Sequence, residues 1–273
     1  MIIVKLIGGL GNQMFQYAAA KSLALNQNKK LLVDRSAFET YKTHQYGLNH
    51  FNANVLFSSE ENRFSRKIRS IFSKSLDYEE TDFSYNKDFY SLKGNPTVLS
   101  GYFQSEQYFK NYEQEIRNDF VVTSPLKQIT SNTILQMQQE NAVSIHFRRG
   151  DYVGHGLHDT KNEAYYEKAV TLVESKIESP VFYVFSDDIA WAKEHFKANS
   201  KIVFVDFNDA SSNFEDMVLM SKCKHNIIAN SSFSWWGAWL NSNPDKIVTA
   251  PALWFNDQDI DSSDIVPEDW IKL

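Results

Sequence analysis

The chain of 273 residues has a single cysteine, Cys223. No disulfide can form within it, and a structural zinc site built on cysteines is not supported. A lone thiol fits a reducing compartment. Long apolar runs are also missing, and no stretch reads as long enough to cross a bilayer. The opening, MIIVKLIGGLGNQMF, is apolar but carries no basic leader and no small-residue cleavage site. Gly8, Gly9 and Gly11 interrupt it early, so it reads as neither a signal peptide nor a span. Excess positive charge is absent too: 28 Lys and Arg stand against 34 Asp and Glu, for a net charge of −6. That excludes a general nucleic-acid binder and makes any anion site a local cluster. No internal repeat or low-complexity tract stands out. With 42% hydrophobic and 23% charged residues, what remains is ordinary for a folded protein. The length suits one large domain or two of moderate size.

Short apolar runs alternate with helical patterns. Ile2–Ile7 reads as a strand, a glycine loop follows, Asn12–Asn26 reads as a helix and Leu31–Val33 as a second strand. Residues 35–95 are less regular and rich in aromatics. The basic run Arg63–Lys74 reads as a solvated helix face, with a membrane-facing surface as the alternative. Thr97–Phe103 is expected to be a strand. Further on, strands are expected at Val143–Phe147, Val181–Phe185, Lys201–Val205, His225–Ala229 and Ile247–Ala250. Helices are expected between them at Glu163–Ile177, Ile189–Phe196, Asn213–Lys222 and Phe233–Leu240. This alternation predicts an α/β fold with parallel sheets covered on both faces. Pro and polar residues cluster at Ser124–Ser131. The expected division is an N-terminal α/β domain over 1–127 and a C-terminal Rossmann-like domain over 128–273, two halves facing each other.

Ligands of such sheets bind at the carboxyl ends of the strands, and four strand ends carry chemistry. The first is GGLGNQ, Gly8–Gln13. Its glycines admit a ligand to the backbone beside a helix N-terminus, or they form a tight turn with Asn12 as the helix cap. The third glycine of a dinucleotide fingerprint is missing, and no Lys-Ser or Lys-Thr makes it a P-loop. The second is VSIHFRRGDYV, Val143–Val153, with His146, Arg148, Arg149 and Asp151 at its end. Alternation puts His146 and Arg148 on one side and Arg149 on the other. The arginine fork suits phosphate oxygens, and a plain ion pair with Asp151 is the structural alternative. The third is Ser186-Asp187-Asp188. Its carboxylates could bind a metal, cap the next helix or accept N–H bonds from a guanine edge. The fourth is ANSSFSWWGAWLN, Ala229–Asn241. Ser231, Ser232 and Ser234 could hold a phosphate at the helix start or serve as caps, and Trp235, Trp236 and Trp239 read as core packing before sugar platform. Asn230-Ser231-Ser232 is a sequon that a chain without a secretion signal leaves unmodified.

Together these pieces resemble a bacterial α-1,2-fucosyltransferase of glycosyltransferase family 11, over nearly the whole chain. The resemblance rests on GGLGNQMFQYAAAKSLA, on GYFQSEQYF at Gly101–Phe109, on HFRRGDY at His146–Tyr152, on FYVFSDD at Phe182–Asp188 and on Phe214–Leu240. It implies a GT-B-like fold, GDP-β-L-fucose as donor, no metal and no other cofactor, and inversion at the anomeric carbon. It implies His146 on the guanine side, Arg148 at the pyrophosphate with Arg149 in support, and Asp187 holding guanine. Ser231, Ser232, Phe233 and Ser234 would bind phosphates and pack on the base, and Asn12 would face the donor. The acceptor would be a galactose-terminated oligosaccharide or a lipid-linked glycan, with the N-terminal domain and its Gly-rich loop as the acceptor side and the C-terminal domain binding GDP-fucose. Arg148 and the helix start near Ser232 would answer the charge on the leaving pyrophosphate. For the general base the motif offers Asp151; His155, His158, Asp159 and Glu163 follow it. A cytoplasmic location, at the inner face of the cell membrane if the chain docks there, is the expectation. The rival readings are a non-catalytic GDP-sugar-binding subunit of a polysaccharide assembly complex and a transferase using another GDP-sugar.

Overall fold

The computed structural model describes residues 1–40, 43–60, 74–150, 152–160, 162–257 and 259–273. Asp151 and residues 63–73 of the basic run lie outside them. The chain divides into two compact units, Met1–Ser124 with Asp261–Pro267, and Pro125–Ile260 with Glu268–Leu273. The boundary expected after residue 127 therefore falls after Ser124, and residues 261–267 return to the first unit. Lys127 explains the first shift. Its backbone N–H donates to Glu215 Oε2 at 3.1 Å and its ammonium to Ser212 Oγ at 2.8 Å, both in the second unit. Asp264 explains the second, accepting from Tyr85 N at 2.8 Å and Gln107 Nε2 at 2.7 Å.

The first unit holds β1 (Ile2–Lys5), α1 (Leu10–Asn26), β2 (Leu31–Asp34), the short α2 (Ala37–Thr40), β3 (Leu76–Glu79), β4 (Thr97–Ser100) and α3 (Glu113–Asp119). Its four strands form a parallel sheet in the order β2-β1-β4-β3. The strand expected over Thr97–Phe103 stops at Ser100, because Gly101 turns to φ +150° and Phe103 to +53°. α1 is buried on nearly every side, which suits its run of Ala, Met, Phe and Leu.

The second unit holds α4 (Gln128–Gln138), β5 (Asn141–Phe147), α5 (Glu163–Lys176), β6 (Pro180–Ser186), α6 (Ile189–His195), β7 (Lys201–Phe204), α7 (Asn213–Lys222), β8 (His225–Ile227), α8 (Ser232–Leu240), β9 (Val248–Ala250) and β10 (Ile271–Lys272). The parallel sheet runs β10-β9-β8-β5-β6-β7. Its apolar strands bury both faces. Val143, Ile145, Phe147, Phe182 and Val184 pack against α5 and α6. Ala142, Val181, Tyr183 and Phe185 point the other way, toward Met137 of α4 and Leu219 and Met220 of α7. This period of two fixes which side each residue at a strand end takes. Among the described residues no helix is long and apolar enough to cross a membrane.

α7 and α8 pack closely because Gly237 lacks a side chain: a Cβ there would lie 2.7 Å from Met220 Cβ. Gly237→Ala is expected to destabilise the second unit by about 1–3 kcal/mol, the usual range for overpacking a core. Urea denaturation checks this; an unchanged midpoint would show that the helices separate without cost.

Candidate active site

The register of β5 and β6 builds the site. Each residue of β5 pairs with one of β6, ending with Phe147 beside Ser186. The next residues, Arg148 and Asp187, therefore emerge side by side. Arg148 Nη1 lies 2.8 Å from Asp187 Oδ2. The other carboxylate oxygen, Oδ1, accepts the Arg149 backbone N–H at 2.8 Å. Asp187 thus anchors both the side chain and the backbone of the arginine pair. The following residue must be small: a Cβ on Gly150 would stand 2.7 Å from Asp187 Oδ2.

The two arginines part as alternation requires. Arg149 turns toward α6, where its guanidinium lies 3.8 Å from the Trp191 ring centroid and its Nε lies 3.6 Å from Asp188 Oδ2. Cation–π stacking on tryptophan is the strongest of its kind. Asp188 also caps α6, accepting from Trp191 N at 3.1 Å. The two aspartates thus have different structural roles: Asp188 holds the helix start, and Asp187 holds the arginines. Arg148 sits 5.3 Å from the Tyr152 ring centroid. Arg148, Arg149, Tyr152, Tyr166, Trp191 and Asn230 line a concavity at this strand end.

On the other side His146 is buried, its ring centroid 5.9 Å from that of Phe233 at the start of α8. Its backbone carbonyl accepts the Tyr166 hydroxyl at 2.8 Å. Burial pulls the imidazole pKa down to about 4; Asp187 opposes that shift and Arg148 adds to it. The ring is therefore neutral near pH 7.

The serine segment is a helix start built by caps. Ser231 Oγ accepts from Phe233 N at 3.4 Å, and Ser234 Oγ accepts from Ala229 N at 3.2 Å. Ser232 opens α8, a nine-residue helix that starts at the strand ends. Trp235 and Trp236 are fully buried and Trp239 nearly so, as core packing requires. Asn230 donates to His158 O and Trp254 O, both at 3.0 Å.

Asn12 belongs to the first unit. It is not a helix cap, because α1 begins two residues earlier, with Gly9 in the cap position. Asn12 Oδ1 instead accepts from Gln104 Nε2 at 2.9 Å. Gly8, at φ +79°, makes the turn. Gln13 supports it, donating to Gly8 O at 3.0 Å and Gln45 O at 2.8 Å.

The second unit therefore gathers His146, Arg148, Arg149, Asp187, Ser231, Ser232, Phe233 and Ser234 at neighbouring strand ends. Gly150, Tyr166 and Trp191 belong to the same assembly but escape a reading of the motifs. Only the glycine next to the arginine pair offered a signal.

A profile described as glycosyl transferase family 11 matches residues 1–273. An α-1,2-colitosyltransferase of Escherichia coli is 33% identical over 297 residues, spanning 100% of this chain and 99% of that protein. A galactoside α-(1,2)-fucosyltransferase 1 of Mico humeralifer is 26% identical over 246 residues, spanning 85% of this chain and 63% of that protein. A crystal structure of NodZ α-1,6-fucosyltransferase soaked with GDP-fucose superposes with a TM-score of 0.52 at 13% identity, covering 89% of this chain and 96% of that one. That likeness, with the two parallel sheets, identifies the fold as GT-B-like α/β.

The His146 shift has a pH consequence. The unfolded histidine titrates near pH 6.5, the native one near 4, so the unfolded chain holds the extra proton between those values. This contribution to stability is complete above pH 6.5 and falls by about 1.4 kcal/mol per pH unit toward pH 4. His146→Asn is expected to flatten that part of the profile. Denaturant midpoints at pH 7 and pH 5 check it, and an equal drop in both proteins contradicts the burial account.

Proposed function

The chain is a glycosyltransferase belonging to glycosyl transferase family 11, and within that family we propose an inverting, metal-independent enzyme. It moves L-fucose from GDP-β-L-fucose to the 2-hydroxyl of a terminal galactose on an oligosaccharide or lipid-linked glycan. The observation that carries this reading is the Arg148 guanidinium, held 2.8 Å from Asp187 at the end of β5. A related protein bears the name galactoside α-(1,2)-fucosyltransferase, which supports both donor sugar and linkage.

In the proposed reaction the acceptor oxygen bonds to the anomeric carbon on the face opposite the phosphate. The bond from that carbon to the β-phosphate oxygen breaks, and the β-linked donor yields an α-linked product. Positive charge grows on the sugar ring and negative charge on the departing GDP. Arg148, with Arg149 in support, and the first-turn N–H groups of α8 oppose that negative charge without reorganising. Ser231, Ser232 and Ser234 belong to the phosphate end. Phe233 packs on the base, beside neutral His146. Asp187 has acceptor lone pairs beyond its bonds to the arginines, and these select guanine through its N–H edge. No cofactor takes part. The acceptor proton passes to Asp151, assigned from its place in the motif.

The colitosyltransferase relative favours one specific competitor, a GDP-sugar lacking the 3-hydroxyl of fucose. Purified protein incubated with lactose, EDTA and either GDP-fucose or GDP-colitose separates the two. Transfer from GDP-fucose to the galactose 2-hydroxyl, read by NMR, is expected. Transfer only from GDP-colitose would reassign the donor, and GDP binding without turnover on any galactoside would assign a binding subunit. Arg148→Ala is expected to lower kcat by about two orders of magnitude or more; full activity would remove it from the leaving-group role. Asp151→Asn is expected to lower kcat by roughly 10²–10⁴-fold at unchanged GDP affinity, the range for losing a general base. Unchanged kcat would pass that role to another group.

A further inference from the structure

The segment Gly101–Phe109 leaves β4 by a path few residues adopt. Gly101 has φ +150° and Phe103, a bulky residue, has φ +53°. Glu80, just beyond β3, fixes that path: its Oε2 accepts the backbone N–H groups of Tyr102 and Phe103, each at 2.7 Å. Only glycine at 101 allows this approach, since a Cβ there would collide with Glu80 Cβ. Burial pushes the Glu80 carboxyl pKa up, and the two N–H bonds oppose the shift. The turn is also tied to α1, through Gln16 Nε2 donating to Gly101 O at 3.0 Å and Gln104 Nε2 donating to Asn12 Oδ1 at 2.9 Å.

These ties drive Phe103 into the core and leave Tyr102 out: Phe103 is fully buried and Tyr102 is 37% exposed. The Tyr102 ring stacks on Phe83, with centroids 5.9 Å apart and planes 9° from parallel. Among the described residues, the other exposed large hydrophobic side chains are aliphatic. The chain thus presents an exposed aromatic ring, parallel to Phe83 and held through its backbone by Glu80, just past the end of β4. Ligands of open α/β sheets collect at that end. A galactose ring suits such a surface. Its axial 4-hydroxyl leaves the opposite face lined by C–H bonds, which rest favourably on the negative face of an aromatic ring.

We propose that Tyr102, backed by Phe83 and positioned by Glu80, is the platform for the acceptor galactose. The inference rests on the galactoside reading of the acceptor. Tyr102 touches the sugar; Glu80, lying under the turn, is a positioning residue.

The experiment compares Tyr102→Ala, Tyr102→Phe and Glu80→Ala with the unaltered chain, varying lactose at saturating GDP-fucose and measuring GDP affinity separately. Tyr102→Ala is expected to raise the lactose KM about tenfold, with kcat changed less than about threefold. Tyr102→Phe, which keeps the ring, is expected to restore KM to near its original value. Glu80→Ala is expected to raise the lactose KM while GDP affinity stays as it was. If the unaltered chain transfers to no galactoside, the functional reading itself falls. If it transfers and Tyr102→Ala keeps the original KM, the platform alone is overturned. A Glu80→Ala protein with unchanged lactose KM, or with GDP affinity lost in parallel, overturns the positioning role.

Discussion

The candidate site depends on one contact, the 2.8 Å pair between Arg148 and Asp187. An arginine at the end of a buried strand carries a permanent charge out of a low-dielectric core, and it needs a partner to hold its direction. The parallel register supplies that partner from the adjacent strand, one residue past the last pair. The same carboxylate holds the Arg149 backbone, so the turn leaving β5 has one defined course. Gly150 follows from that course, since a side chain there would meet Asp187. A pair about three-quarters buried and still open to solvent is poised for exchange. In the proposed reaction the phosphate shares the guanidinium and the base shares the carboxylate.

Much of the second unit was legible because its strands are short apolar runs separated by helical patterns. Asn213–Lys222 stands where its pattern placed it, and β5 to β9 differ from expectation only at their ends. What escaped notice had weak patterns for physical reasons. β3 is an edge strand of alternating half-buried and exposed residues, LDYE, with little apolar surface to mark it. α4 buries only Thr130 and Met137, so no apolar stripe announces it, and its polar start resembles a linker. Residues 261–267 join the first unit through Asp264, a long-range bond with no local sign.

The site was legible in kind but not in connection. Excess charge after Phe147 pointed to an anion site, and serines before an aromatic helix pointed to a capped N-terminus. The partnership of Arg148 with Asp187 spans 39 residues and exists only once two strands are in register. Arg149 stacking on Trp191 likewise needs α6 to start beside the end of β5. In the first unit, Asn12 looked like a cap and became an acceptor for Gln104, because the glycine before Leu10 had already started the helix. Glutamine side chains connect that unit's strand ends, and glutamines carry no distinctive spacing.

The central claim is that Arg148 and Asp187 act as one element in holding GDP. Calorimetric titration of GDP into the unaltered chain, Arg148→Ala, Asp187→Asn and the double variant tests it directly. The account predicts weaker binding in each single variant and a double variant that loses less than the sum, a coupling of about 0.5–3 kcal/mol. Additive losses, or an Arg148→Ala protein that binds GDP as tightly as the unaltered chain, would contradict it.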